Sequence, residues 1–306
     1  MLSRHFIPEN VGLAACNFIL RIIPERFFMK QRIITGAILV ASLILVMIFA
    51  DTFVLPVILA LCTAIAIYEM LSCVGLQKVW QISIPFYLCA AFPILMRFLK
   101  DDEVLFQSIG LVVLSLGVLY LFTVLIFSHG KYTVQEICVS FMSILYIVAG
   151  FTAIVSIYDR ELGGEYVYLL VFIGSWVTDT FAYFCGMLFG RGGKHKLIPD
   201  VSPKKTVEGS IGGIVFCIIG MVVFGIVVEA ISDYEANLIA LALAGFVISV
   251  VAQIGDLLMS VIKRTYGIKD YGKVFPGHGG VLDRFDSILA VSVVLMVFTS
   301  FFDLLG

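Results

Sequence analysis

Residues 255–287 read GDLLMSVIKRTYGIKDYGKVFPGHGGVLDRFDS and lie between long apolar runs. Asp256, Lys263, Arg264, Lys269, Asp270, Lys273, His278, Asp283, Arg284 and Asp286 crowd into this stretch, separated by Gly272, Pro276, Gly277, Gly279 and Gly280. Charged groups inside or beside a membrane segment are costly and usually mark a site. The apolar flanks set the fold class, and the charged stretch between them reads as a reaction centre.

Working outward, the chain of 306 residues is 61% hydrophobic and 14% charged, with a mean hydropathy of +1.08. A soluble domain averages about 25% charged residues. The expected class is therefore an all-α integral membrane protein. A helix needs about 20 apolar residues to cross the hydrocarbon core. Runs at 33–50, 53–72, 79–98, 104–127, 135–157, 166–189, 211–230, 237–262 and 281–302 predict nine spans. The organisation expected is an N-terminal extension, 1–32, then N-terminal helices over 33–165 and a catalytic region over 166–306, all in one membrane domain. The extension holds Arg4, Arg21, Arg26, Lys30 and Arg32. It suits an amphipathic surface helix or a weakly ordered tail, and its interrupted apolar core does not suit a cleavable signal peptide. The seven cysteines show no metal-ligand spacing and read as small apolar filler.

Basic residues in the loops give the orientation. With the N-terminus inside, 17 of the 20 lysines and arginines fall on the inner side. The outer side keeps Arg97, Lys100 and Arg160 among acids such as Asp101, Asp159, Glu165 and Asp233. The charged stretch thus faces the cytoplasm, and the membrane expected is a bacterial inner membrane.

On the helix entering the centre, Asp256, Ser260, Lys263 and Arg264 are spaced to share one face. The next helix places Asp283, Asp286 and Ser287 together in its first turns. Three carboxylates with hydroxyls suit a hard divalent cation, and Mg2+ is often held by one or two carboxylates plus substrate phosphates. The plainer alternative is an interfacial basic pair neutralised by nearby acids. Between the helices, the connector Gly272–Gly280 includes His278, Gly279 and Gly280. Its backbone N–H groups and the helix start behind it could cradle a phosphate, or simply make a tight turn. It is not a Walker A loop, and Gly190–His195 lacks that motif's spacing and its Ser/Thr. Upstream, Ser202, Lys204, Lys205 and Thr206 offer further phosphate contacts, and Asp179 is an acid within a span that needs a partner. Glu69 reads as interfacial.

Ser260-x-x-Lys263-Arg264, Lys269-Asp270, Pro276-x-His278-Gly279-Gly280 and Asp283-Arg284-x-Asp286-Ser287 together resemble the signature of the phosphatidate cytidylyltransferase, or CDP-diacylglycerol synthase, family. Asp179-x-x-Ala182-Tyr183 and Ser202-Pro203-Lys204-Lys205-Thr206-x-Glu208-Gly209 also look like that family. The resemblance is firm over 175–290 and architectural over 33–170. It implies that CTP and phosphatidic acid yield CDP-diacylglycerol and pyrophosphate at the bilayer, with Mg2+ and a monovalent K+ beside it. By motif position it implies Asp256 and Asp283 as metal ligands, with Asp286 and Asp179 near them. Lys263, Arg264, Lys204 and Lys205 would neutralise phosphates and Ser260 would add an oxygen contact. Ser202, Thr206, Lys269, Asp270, His278, Gly279, Gly280 and Arg284 complete the substrate-binding set. The attacking phosphate is already mostly ionised near neutral pH, its second pKa being about 6, so no strong general base is required. A homodimer is among the expected assemblies, and no nucleic-acid partner is expected.

Two other functions stay open from the residues. A CTP-dependent polyprenol or dolichol kinase would release CDP rather than pyrophosphate. A cation-coupled transporter would use acids within spans, but the absence of an internal repeat and the one-sided basic residues argue against it. A CDP-alcohol phosphatidyltransferase would need an Asp-Gly-x-x-Ala-Arg motif that the chain lacks.

Overall fold

The computed structural model describes residues 41, 43–190 and 195–306. The expected N-terminal extension and half of the first expected span lie outside these, as do positions 191–194. Helical turns at 43–48 lead into α1, Val54–Val74. Next come α2, Trp80–Leu88, a 3-10 turn at Cys89–Ala91, and α3, Phe92–Phe98. They are followed by α4, Glu103–Phe127, and α5, Val134–Tyr158. A short α6, Gly164–Val167, runs into α7, Leu169–Phe189. Strands β1, Lys196–Ile198, and β2, Ser202–Thr206, precede α8, Val207–Ile231, α9, Leu238–Thr265, and α10, Leu282–Thr299.

Among the described residues, seven helical segments are long and apolar enough to cross a membrane, α2 with α3 and α6 with α7 each counting as one. The protein is a multi-pass, all-α integral membrane protein. The run expected at 281–302 is the 18-residue α10, which has Asp283, Arg284 and Asp286 in its first turns. Between α7 and α8 a small antiparallel hairpin, not expected from the sequence, pairs Lys196 with Thr206 and Ile198 with Ser202. Alternation of side chains in five residues, two of them lysine, is too short to distinguish strand from loop.

Four of the ten helix starts are capped by a neighbouring side chain. Thr133 and Glu136 form a reciprocal capping box on α5. Asp102, Thr206 and Asn237 accept from Leu105, Gly209 and Ala240 at the starts of α4, α8 and α9. The start of α10 has no side-chain cap from its own flank.

The core forms where α5, α10 and α1 meet. Phe151, Ile147, Ile154, Ile67, Met70, Leu289, Val291 and Leu295 are buried there. Gly150 lets α10 approach, since a Cβ there would sit 2.9 Å from the Leu289 Cα. Ser292 Oγ donates to the Gly150 carbonyl at 2.8 Å. Helices α1 and α5 thus pack directly against the last one. At the far end of α5 and α10, Arg97 pairs with Asp159 and reaches the Asp51 carbonyl, Tyr158 donates to Asp51, and Arg160 donates to the Thr299 carbonyl. This latch lies at the opposite end of α10 from Asp283.

Helices α7 and α8 pack through small residues, as membrane helices commonly do. A Cβ on Gly209 would lie 2.4 Å from the Ala182 carbonyl oxygen, and one on Gly213 2.9 Å from that of Thr178. This contact holds the hairpin against α7.

Candidate active site

Gly255 on α9 has no room for a side chain. A Cβ there would be 2.7 Å from the Ala290 Cβ and 2.9 Å from the Asp286 carbonyl oxygen. The two backbones therefore meet just where α9 presents Asp256 and α10 presents Asp286. Tyr146 from α5 donates to the same carbonyl at 3.0 Å. Gly255→Ala is expected to push the helices apart and cost about 1–3 kcal/mol. Thermal unfolding in detergent measures this, and an unshifted midpoint would show that the contact yields freely.

Around that crossing the chain assembles an open charged cluster. Lys205 Nζ, from β2, lies 2.6 Å from Asp256 Oδ2, with side-chain exposures of 22% and 29%. Ser260 Oγ donates to Asp256 Oδ1 at 3.4 Å. Asp286 lies within electrostatic range of Asp256, Asp179 and Lys263. Asp179, exposed on α7, accepts from Ser287 Oγ at 3.3 Å, and Ser175 and Ser287 share a hydrogen bond of 2.6 Å. Asp179, Asp256 and Asp286 thus face one shared region, with Lys205 ion-paired to one of them.

Beside this cluster is a closed one. Lys263 Nζ donates to Asp283 Oδ1 at 2.9 Å and lies over the Tyr271 ring. Asp283 Oδ2 accepts from the backbone N–H of Tyr271 at 2.8 Å and of Gly280 at 3.0 Å. Only 3% of the Asp283 side chain is exposed. Its oxygens are committed to a lysine and to the connector.

The connector turns tightly at Phe275–His278. His278 N–H donates to the Phe275 carbonyl at 2.9 Å, and Gly277 has a φ of +78°. Proline followed by a left-handed glycine is the sequence of a type II turn. Gly279, with a φ of +89°, returns the chain to Phe275.

Several of the N–H groups expected to cradle a phosphate have protein acceptors. Gly280 donates to Asp283, while Val281 and Leu282 donate to Glu69 at 3.0 and 2.8 Å. Glu69, read as interfacial, is 1% exposed. A lone acid near a span end carries no sequence signal of a partner so distant in the chain. The small connector glycines around it were the one available hint.

The expected residues separate accordingly. Asp179, Lys205, Asp256, Ser260, Asp286 and Ser287 line the open cluster, and Lys263 and Asp283 form the closed one. Arg284 is exposed but within electrostatic range of Asp179. Arg264, expected on the same face as Asp256, is exposed and donates to the Ile268 carbonyl at 3.3 Å. Lys204, Lys269 and Asp270 are exposed, Ser202 is half-buried, and Thr206 caps α8. His278 is half-buried, and its Nδ1 has no hydrogen-bond partner among the described residues. Among those residues, no three acid, histidine or cysteine side chains form a preformed metal cage.

The comparisons with known proteins agree with the resemblance. The model of the cytidylyltransferase family matches residues 30–302. The phosphatidate cytidylyltransferase of Staphylococcus epidermidis is 35% identical over 272 residues, covering 88% of this chain and 98% of the relative. That of Bacillus subtilis is 32% identical over 277 residues, covering 90% and 98%. That of Staphylococcus aureus is 31% identical over 269 residues, covering 88% and 98%. With the match running through nearly every described helix, the chain is a membrane nucleotidyltransferase and belongs to the cytidylyltransferase family, among the phosphatidate cytidylyltransferases.

Proposed function

We propose that the protein transfers a cytidylyl group from CTP to phosphatidic acid, giving CDP-diacylglycerol and pyrophosphate. The observation that supports this most is the open cluster of Asp179, Asp256 and Asp286 with Lys205, in a chain similar to phosphatidate cytidylyltransferases. An oxygen of the lipid phosphate attacks the α-phosphorus of CTP, a new P–O bond forms, and the bond to the β-phosphate bridging oxygen breaks as pyrophosphate leaves. The main obstacle is bringing two polyanions together, so positioning and charge neutralisation supply the rate.

The donor set fits Mg2+. Few protein ligands converge, but Mg2+ is usually completed by water and substrate phosphates. Asp256 and Asp286 would hold it, with Asp179 beside them. A bound Mg2+ would supply charge neutralisation at the triphosphate, and K+ is proposed as a neighbouring ion. The expected pairing of Asp256 with Asp283 shifts to Asp256 with Asp286, because Asp283 is already bonded to Lys263 and the connector. Lys205 would exchange part of its contact with Asp256 for a phosphate oxygen. Exposed Arg284, within electrostatic range of Asp179, is proposed to meet a further phosphate oxygen, and exposed Lys204 is proposed as an additional phosphate contact. Asp179 is exposed while it accepts from Ser287, so a lipid headgroup is proposed to meet the cluster at this side. The bias of basic residues to one side supports a site on the cytoplasmic side of a bacterial inner membrane, where CTP is available.

The test is an assay of the purified protein in detergent with CTP, phosphatidate and Mg2+. Pyrophosphate release should require all three, stop with EDTA and accompany a CDP-lipid product. Release of CDP would favour the lipid-kinase reading, and exchanging K+ for Na+ tests the second ion.

A further inference from the structure

We propose that Glu69, on α1, is a positioning residue for the reaction centre, replacing the missing cap of α10 and thereby setting the connector and Asp283 against α9. The inference rests on the reaction proposed above. It starts from an unmet need. The first N–H groups of any helix lack intrahelical acceptors, and α10 draws none from its own flanking side chains.

Glu69 meets that need from another part of the chain. Its Oε1 accepts from Val281 N–H at 3.0 Å, and its Oε2 accepts from Leu282 N–H at 2.8 Å. A carboxylate is also the charge a helix N-terminus favours. The glycines on either side make room for it: a Cβ on Gly272 or on Gly280 would lie 2.2 Å from Oε1. The carboxylate is thus clamped by the helix start and by both ends of the connector.

From there the positioning runs through bonds already described. Gly280 and Tyr271 donate to Asp283, and Asp283 holds Lys263 on α9. Asp286 sits one turn further along α10 in the open cluster. A shift of the α10 start would therefore move the connector, the closed pair and Asp286 together. Glu69 does this without touching the open cluster, so its effect on turnover is indirect.

Glu69→Gln keeps the shape but replaces one accepting oxygen with an NH2 that faces an N–H donor. Turnover per folded enzyme is expected to fall about tenfold to a hundredfold, the range seen when supporting groups around a site are removed. The KM for CTP is expected to stay nearly constant, as when an interaction made in the transition state is lost. Gly280→Ala, which presses a methyl group on Oε1 from the other side, should give the same kcat-selective loss. Unchanged turnover in both variants, or a loss explained entirely by less folded protein, would overturn the proposal.

Hydrogen–deuterium exchange tests the clamp independently of catalysis. In the unsubstituted protein the Val281 and Leu282 amides should exchange slowly despite lying at a helix start, and Glu69→Gln should speed them. Rapid exchange in the unsubstituted protein would overturn the proposal even if no variant folds. If that protein released no pyrophosphate, the reaction would be refuted while exchange still decided the clamp.

Discussion

Asp256→Ala is expected to lower pyrophosphate release by at least about a hundredfold, the scale lost when a group stabilising transition-state charge is removed. Asp256 is the acid through which β2, α9 and the open cluster are joined, by Lys205 at 2.6 Å and Ser260 at 3.4 Å. Its side chain is 29% exposed, so water can reach the lysine left behind. The variant should therefore insert and unfold much like the unsubstituted protein, and raising Mg2+ should not restore its rate. Parallel measurement of initial rate and thermal unfolding checks both parts. A variant that kept its rate would remove Asp256 from the metal, and one that failed to fold would make it a structural residue.

Asp283→Ala should behave differently although the resemblance implies the same role for both acids. Removing one partner of a buried ion pair typically costs about 3–5 kcal/mol, because the other charge is left uncompensated. Here the loss also strips the acceptor from the Tyr271 and Gly280 N–H groups. The variant is expected to be both inactive and strongly destabilised. Adding Lys263→Met should recover part of the stability, since no isolated ammonium remains, but not all of it, since the two N–H groups still lack an acceptor. Activity should not return in the double variant. Full activity in Asp283→Ala, or an unfolding midpoint equal to that of the unsubstituted protein, would contradict this account.

The difference between these two acids shows how far the sequence could be read. The apolar runs made the helices legible, because burying a helix in lipid demands length and hydrophobicity that few other folds need. The spacing of Asp256, Ser260 and Lys263 made a common face legible, and the motif identified the family. What could not be read is which acid is open and which is closed. That depends on Tyr271 and Gly280 turning their N–H groups onto Asp283, a product of connector geometry rather than of residue spacing. Gly255 and Gly209 gave no sign of their neighbours either, since a helical glycine looks alike whether it faces lipid or another backbone. The hairpin was hidden for a related reason: its purpose is to bring Lys205 over α9, and that is visible only when both elements are in place.

The bond between Glu69 and Val281 joins positions 212 residues apart. During synthesis α1 leaves the ribosome long before α10, and until α10 arrives the Glu69 carboxylate has none of the donors that hold it in the finished protein. The reaction centre is accordingly incomplete until α10 is in place. A chain that stops before α10 lacks the connector's anchor, so the geometry around Asp283 waits on the arrival of α10.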